Sequence, residues 1–142
     1  MGSRKRLAAE ARKEANKNLY VARLVDNPTS PRKMRIMADV IRGKEVDYAM
    51  NVLQYSRREA AEKLLKLLKS AVANWQVKNE GVRIEDAQLY VKSVVVDGGR
   101  MLKRIRTAPR GMAHRIRKRS NHVTIIIDDK RINNNIEENK NN

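Results

Sequence analysis

The sequence is poor in the residues that carry most protein chemistry. Its 142 residues include no cysteine, which excludes a disulfide framework, a thiolate zinc site and thiol redox chemistry. It has no phenylalanine, one tryptophan and four tyrosines, so any core must be aliphatic and modest. No apolar run approaches the length of a membrane span, and the basic N-terminus lacks the apolar segment of a signal peptide. We therefore expect a cytoplasmic protein with no membrane partner.

Catalytic groups are equally sparse. His114 and His122 are the only imidazoles, and neither has a carboxylate or a cysteine close by in the sequence to orient it. Gly98-Gly99 is followed by Arg100-Met101 rather than by the helix start of a phosphate-binding loop. The sequence therefore predicts no catalytic residue, no metal site and no cofactor. One enzymatic hypothesis stays open, namely an RNA-processing enzyme that uses His114 or His122.

What the sequence has in excess is positive charge. It contains 32 Lys and Arg against 16 Asp and Glu, a formal net charge of +16. The charge is concentrated rather than interspersed, which is typical of a nucleic-acid-binding surface. The strongest concentration lies between Asp97 and Asp128, where residues 98–127 contain no acidic side chain. The nine cations of this acid-free run are Arg100, Lys103, Arg104, Arg106, Arg110, Arg115, Arg117, Lys118 and Arg119.

Both ends of the acid-free run predict β-strands. Residues 88–96 and 122–127 are β-branched and apolar enough to pair in a packed sheet, whereas the basic part between them cannot form a core. We predict an extended hairpin at about residues 97–125, whose arms reach on the order of 35 Å at roughly 3.3 Å per residue. Its tip, at residues 107–112, has the Pro and Gly typical of a turn. A hairpin of this composition requires a polyanion to neutralise it.

The chain before the hairpin predicts a short strand and three helices. Residues 20–25 are typical of a strand, and Ser30 precedes a first helix that glycine ends at residue 43. A second helix is predicted at about residues 46–54. The third follows an expected capping box of Ser56 and Glu59, and its long apolar stripe includes Trp75, which we assign to the core.

These elements predict an α+β fold class. We expect a small antiparallel sheet of about three strands packed with three helices, plus a long protruding β-hairpin. We divide the chain into a basic, helical N-terminal extension at residues 1–18 and an RNA-binding α+β domain at residues 19–129. An Asn-rich tail at residues 130–142 has the composition of a disordered segment.

The composition of the basic segments favours RNA as the partner. Seven of the nine cations of the acid-free run are Arg, whose planar guanidinium binds phosphates and stacks on bases. This preference favours irregular folded RNA over a uniform duplex. Further contacts are expected from the body of the domain, at Arg32, Lys33, Arg35, Arg42 and Lys44. The alternative is an architectural DNA-binding protein whose β-arm enters the minor groove with Pro109 as a wedge.

Several short motifs, in their order along the chain, resemble one known family. They are Ser30-Pro31-Arg32-Lys33, Ile41-Arg42-Gly43-Lys44, Ser70-Ala71-Val72-Ala73-Asn74, Val96-Asp97-Gly98-Gly99-Arg100-Met101-Leu102-Lys103-Arg104 and Ser120-Asn121-His122-Val123-Thr124. Together they cover about residues 19–128. In this part the chain is similar to the universal ribosomal large-subunit protein twenty-two family of bacteria.

The resemblance implies a structural constituent of the large ribosomal subunit that binds 23S-type ribosomal RNA and supports subunit assembly. It also implies that the hairpin passes through RNA and that its tip lies at the wall of the nascent-peptide exit tunnel. The tip residues are Pro109, Arg110, Gly111 and Met112. Expected partners are therefore large-subunit ribosomal RNA, neighbouring large-subunit proteins including protein four near the tunnel, and the nascent peptide that passes the tip.

Overall fold

The charged hairpin grows out of a three-stranded antiparallel sheet. The structure, a computed structural model, describes residues 3–17, 19–80, 82–83 and 87–129; the predicted Asn-rich tail lies outside these residues. In chain order the elements are α1 (Ser3–Lys17), β1 (Tyr20–Asn27), α2 (Pro31–Ile41), α3 (Val46–Tyr55), α4 (Glu59–Lys78), β2 (Leu89–Thr107), a 3₁₀ turn (Pro109–Gly111) and β3 (Ala113–Asp129). The strand order is β1-β3-β2, so the last strand is central. The predicted α+β fold is confirmed.

Three helices cover one face of this sheet. Helices α2, α3 and α4 each bury one stripe of side chains against the inward-facing residues of the strands. The core is aliphatic apart from Met34, Met37, Tyr20 and Trp75, and the two aromatic rings meet edge to face with centroids 6.4 Å apart. Trp75 is only 1% exposed, which confirms its assignment to the core.

The helix starts differ from the sequence prediction in their caps. Ser30 is the N-cap of α2 as predicted, but its hydroxyl makes no capping hydrogen bond. Helix α4 begins at Glu59 with Arg58 as its N-cap, so the predicted capping box of Ser56 and Glu59 is wrong. The Ser56 hydroxyl lies 3.9 Å from Met37 Sδ instead. The Ser56 side chain therefore contacts α2 instead of capping α4.

Strand β1 runs to Asn27, two residues beyond the predicted end of the strand. Its register with β3 shifts between Leu24 and Asn27, and Asp26 takes a positive φ of 51° inside this irregularity. A bulge of this kind absorbs an extra residue while pairing continues. It brings Asn27 opposite Asn121, at the end of the sheet from which the hairpin leaves.

Other parts of the chain contact both outer edges of the sheet. On the β2 side, Gly43 N donates to the Val91 carbonyl at 2.8 Å and Val91 N donates to the Lys44 carbonyl at 2.9 Å. On the β1 side, Asn74 Nδ2 donates to the Val21 carbonyl at 3.0 Å. At Val91 these backbone hydrogen bonds leave no free pairing group on the β2 edge.

Candidate nucleic-acid interface

The distal hairpin, defined here as residues 100–119, extends beyond the core. Its strands stay paired from Met101 opposite Arg119 to Thr107 opposite Ala113. None of residues 100–119 is buried. From Val96, the last core residue of β2, the strand continues to Thr107, a distance of roughly 35 Å at about 3.3 Å per residue. The distal hairpin therefore presents all nine cations of the acid-free run away from the core.

The register distributes these cations over both faces of the ribbon, because directly opposed residues of an antiparallel pair share a face. One face carries four cations: Lys103, Arg115, Arg117 and Arg119. The other face carries three: Arg104, Arg106 and Lys118. Arg100 lies at the base of the ribbon and Arg110 at its tip. The distal hairpin is thus basic on both faces.

Aliphatic side chains separate the cations along each face. Met101 lies opposite Arg119, Ile105 opposite Arg115, and Ile116 opposite Arg104. Such pairs let a guanidinium stem lie along an apolar neighbour while the charged head reaches outward. Ile105 is nevertheless 75% exposed. The ribbon thus has little apolar surface sheltered within itself.

No acidic side chain of the described residues pairs with this charge. Of the ion pairs found among residues 3–17, 19–80, 82–83 and 87–129, none includes a cation of the distal hairpin. Lys103 and Arg117, both cationic, lie directly opposite each other in the ladder. Directly opposed like charges destabilise a strand pair. The distal hairpin therefore carries nine cations that pair with no acidic side chain among the described residues.

The base of the distal hairpin is a close approach of β2 and β3. The register of β2 shifts between Gly98 and Met101, and the Ser120 hydroxyl donates a hydrogen bond to the Arg100 carbonyl. A Cβ at Gly99 would lie 2.6 Å from Ser120 Oγ and 3.2 Å from the backbone nitrogen of Asn121. A side chain at position 99 would therefore displace the Ser120 hydroxyl and crowd the backbone of Asn121, which glycine avoids.

A buried polar network ties this base to the loop before α2. Asn121 is fully buried, and its Nδ2 donates to the Thr29 carbonyl at 2.7 Å and to Thr29 Oγ1 at 2.8 Å. Asn27 Nδ2 donates to Thr29 Oγ1 at 2.7 Å and to Asn121 Oδ1 at 3.3 Å. Satisfied buried networks of this kind hold one geometry. This network fixes the hairpin base relative to β1 and α2.

The structure also pairs His122 with Asp26, which sequence analysis missed because 96 residues separate them. The backbone N–H of Asp26 donates to His122 Nδ1 at 3.0 Å, and His122 Nε2 lies 3.8 Å from Asp26 Oδ1. The first contact uses one ring nitrogen to hold the bulge of β1. The His122 ring therefore connects β3 to the bulge of β1 at the hairpin base.

The five predicted body cations separate into two groups. Arg35 donates from Nε and Nη2 to the Val96 carbonyl at 3.3 and 3.0 Å, and Arg42 Nη2 donates to the Val94 carbonyl at 3.1 Å. Both guanidinium groups thus satisfy the outer edge of β2. Arg32, Lys33 and Lys44 are exposed near the same helix. An intramolecular role of Arg35 and Arg42 was not predicted from the sequence.

The tip is a compact loop. Ala108 N donates to the Met112 carbonyl at 2.9 Å, closing the 3₁₀ turn Pro109–Gly111. Arg110 and Gly111 have positive φ values of 61° and 71°. The four predicted tip residues, Pro109, Arg110, Gly111 and Met112, are all exposed.

Near the other end of the sheet, Lys92 holds a bulge of β2 against β3. Its Nζ donates to Asp128 Oδ2 at 2.7 Å, and this hydrogen bond raises the pKa of Lys92 above its usual 10.5. Within the described ranges, no group of three His, Asp or Glu residues is placed to hold a metal ion. None of the helices described is long and apolar enough to cross a membrane.

The fold and this surface define a class: a small basic α+β protein built around a charged β-ribbon. The ribosomal protein L22p/L17e family model matches residues 22–128, from β1 almost to the end of β3. The chain belongs to this family.

Named relatives agree with the family match over nearly the whole chain. The large ribosomal subunit protein uL22 of Flavobacterium psychrophilum is 59% identical over 127 residues, which cover 89% of this chain and 93% of the relative. The uL22 protein of Christiangramia forsetii is 58% identical, with 89% and 94% covered. The uL22 protein of Bacteroides fragilis is 56% identical over 130 residues, with 92% and 95% covered.

The family match confirms the resemblance drawn from the sequence motifs. It also confirms that the protein is not an enzyme, because the family is a structural, non-enzymatic component of the ribosome. The hypothesis of an RNA-processing enzyme using His114 or His122 is therefore wrong. The assignment to ribosomal proteins, and so to translation in the cytoplasm, is confirmed by the same match.

Proposed function

We propose that the protein is a structural constituent of the large ribosomal subunit that binds 23S-type ribosomal RNA through its distal hairpin and thereby supports subunit assembly. One observation carries this proposal: nine cations on an exposed ribbon without a single internal ion pair among the described residues. The named relatives are large-subunit proteins, which supports the choice of RNA over DNA.

The two-faced charge distribution supports insertion into RNA rather than adsorption to its surface. A ribbon lying on a flat polyanion would neutralise one face and leave the cations of the other face unpaired. Here four cations point to one side and three to the other. Phosphates on both sides would neutralise all seven, and the Arg fork suits irregular RNA with phosphates in several directions. We infer that RNA encloses the distal hairpin.

An architectural DNA protein is the weaker alternative. Proteins of that class bend duplex DNA with arms and wedges, and Pro109 lies at the tip of a basic arm here. The family match, however, is to ribosomal proteins. Weak binding to bent duplex DNA, compared with ribosomal RNA at equal salt, is the expected result.

The tip is proposed to line the wall of the nascent-peptide exit tunnel, near large-subunit protein four, where the nascent peptide passes. The loop carries one cation among four residues, whereas the arms carry the remaining eight. The tip therefore contributes less to RNA binding than the arms do. Partners other than RNA are expected to be neighbouring large-subunit proteins.

The tip proposal is tested by comparing two variants for incorporation into large subunits. Deletion of Pro109–Met112 is expected to leave incorporation close to wild type, whereas Lys103→Gln combined with Arg117→Gln in the arms is expected to reduce it. Quantitative mass spectrometry of purified subunits measures both. Subunits that exclude the tip-deleted protein but accept the arm variant would contradict the division of roles.

The main proposal is tested by sedimentation of a tagged copy through a gradient in moderately high salt. We expect the protein in the large-subunit peak at roughly one copy per subunit, because RNA that encloses the distal hairpin would hold the protein in the assembled subunit. A protein that runs at the top of the gradient, or with the nucleoid, would contradict it.

A further inference from the structure

Helix α1 joins the body at the end of the sheet opposite to the distal hairpin. It leads into β1, whose first residue, Tyr20, lies opposite Ile127. The other end of β1, Asn27, lies opposite Asn121, next to the start of the distal hairpin. Seven residues of strand separate these ends, which is roughly 23 Å at about 3.3 Å per residue. The two basic segments therefore leave the body at opposite ends.

Four of the six cations of α1 lie on one side of the helix. At 3.6 residues per turn, Lys5, Arg6, Arg12 and Lys13 fall within an arc of about 120° that has Ala9 at its centre. The opposite side is made of Arg4, Leu7, Ala8 and Ala11. This basic face has a small residue in its middle, so the helix backbone can approach a partner closely.

All side chains from Ser3 to Lys13 are exposed. The acidic Glu10 pairs with Arg6 at 3.5 Å, but with side chains 56% and 77% exposed this ion pair neutralises little. A 15-residue helix without packing on a domain is marginal in water. The charge complementarity of its basic face points to a polyanion as the partner that stabilises it.

We propose that α1 is a second RNA-contacting element, which binds the phosphate backbone of an RNA segment other than the one that encloses the distal hairpin. This inference rests on the proposed function, because the RNA is the ribosomal RNA that the hairpin also binds. Helix α1 lies outside the residues matched by the family model. The body would then hold two RNA segments at a fixed separation.

A matched pair of substitutions tests the basic face. Ala9→Glu adds a carboxylate at the centre of the basic face, and Ala11→Glu adds the same carboxylate on the opposite side. Both positions are exposed and Glu is a good helix former, so helix stability is little changed. We expect Ala9→Glu to weaken binding of protein-free large-subunit ribosomal RNA by about fivefold or more. We also expect the slope of log K against log salt to become less steep by about one. Ala11→Glu is expected to stay within about twofold of wild type.

Photo-crosslinking in assembled subunits separates this inference from the proposed function. A photoreactive side chain is placed in the full-length protein at position 9, at position 11 or at position 105 in the distal hairpin. We expect positions 9 and 105 to crosslink to different segments of ribosomal RNA, and position 11 to crosslink much less.

Two results would overturn the proposal for α1 and leave the proposed function intact. One is an equal effect of Ala9→Glu and Ala11→Glu on RNA binding. The other is a crosslink from position 9 to a protein, or to the same RNA segment as position 105. Absence of RNA crosslinks from position 105 would overturn the proposed function of the hairpin.

Discussion

At the scale of single residues, the hairpin base depends on two adjacent glycines with different surroundings. A Cβ on Gly99 would meet Ser120 Oγ and the backbone of Asn121, whereas a Cβ on Gly98 would meet nothing within 4 Å. The methyl group of Gly99→Ala would either break the hydrogen bond from Ser120 to the Arg100 carbonyl or push the two strands apart. We expect a loss of about 1–2 kcal/mol in the free energy of unfolding, measured by urea denaturation. Gly98→Ala is the control and is expected to be near neutral; equal losses would contradict the crowding at Gly99.

Arg35 shows how one residue can differ from its predicted role. Both Arg32 and Arg35 are exposed residues of α2, but the Arg35 guanidinium also donates to the Val96 carbonyl at the edge of β2. Arg35→Gln is expected to lower the free energy of unfolding by about 1 kcal/mol, because the carbonyl loses a charged donor. Arg32→Gln is expected to leave stability unchanged and to weaken RNA binding only. Thermal and urea unfolding of both variants decide this, and equal stability of the two would show that the edge contact contributes nothing.

At the scale of elements, the pairing of β2 with β3 has one titrating contact at the bulge of β2. The hydrogen bond from Lys92 to Asp128 raises the folded-state pKa of Lys92 above 10.5. The folded state then binds this proton more tightly than the unfolded state, so the contribution is complete below about pH 10.5 and is lost as pH rises through the folded-state pKa.

The stability difference between wild type and Lys92→Met is therefore expected to shrink as pH rises above about 10.5. Urea unfolding between neutral and strongly alkaline pH measures it. Lys66→Met is the control variant, because Lys66 forms an exposed ion pair with Glu62 of the same helix and does not connect two strands. A difference that stays constant with pH for Lys92→Met would contradict the account.

Local patterns predicted the elements well, and long-range contacts explain where the predictions failed. The apolar stripe of α4 and the strand pattern on both sides of the acid-free run correspond to α4, β2 and β3. The roles of Arg35 and His122 depend on partners 61 and 96 residues away, which no local pattern reveals. The capping box failed for the same reason, since Ser56 meets Met37 of another helix. The position and the charge of the candidate interface were predictable from the sequence. The distribution of its cations over both faces of the ribbon was not, because it depends on which residues of β2 and β3 lie opposite each other.

At the scale of the whole molecule, a neutral core separates two basic segments. The body buries a compact aliphatic core, while the distal hairpin and α1 carry most of the exposed clusters of positive charge outside it. The molecule therefore combines one packed body with two basic segments whose charge lies outside the core. The central claim is that ribosomal RNA neutralises this charge.

The salt dependence of binding tests this claim most directly. The affinity of the full-length protein for protein-free large-subunit ribosomal RNA is measured from low to moderately high salt. Nine hairpin contacts with irregular RNA, at roughly 0.7 released counterions each, predict a slope of log K against log salt of about −6 or steeper. A slope near −2 would leave only about three phosphate contacts and would contradict the hairpin as the main RNA-binding element.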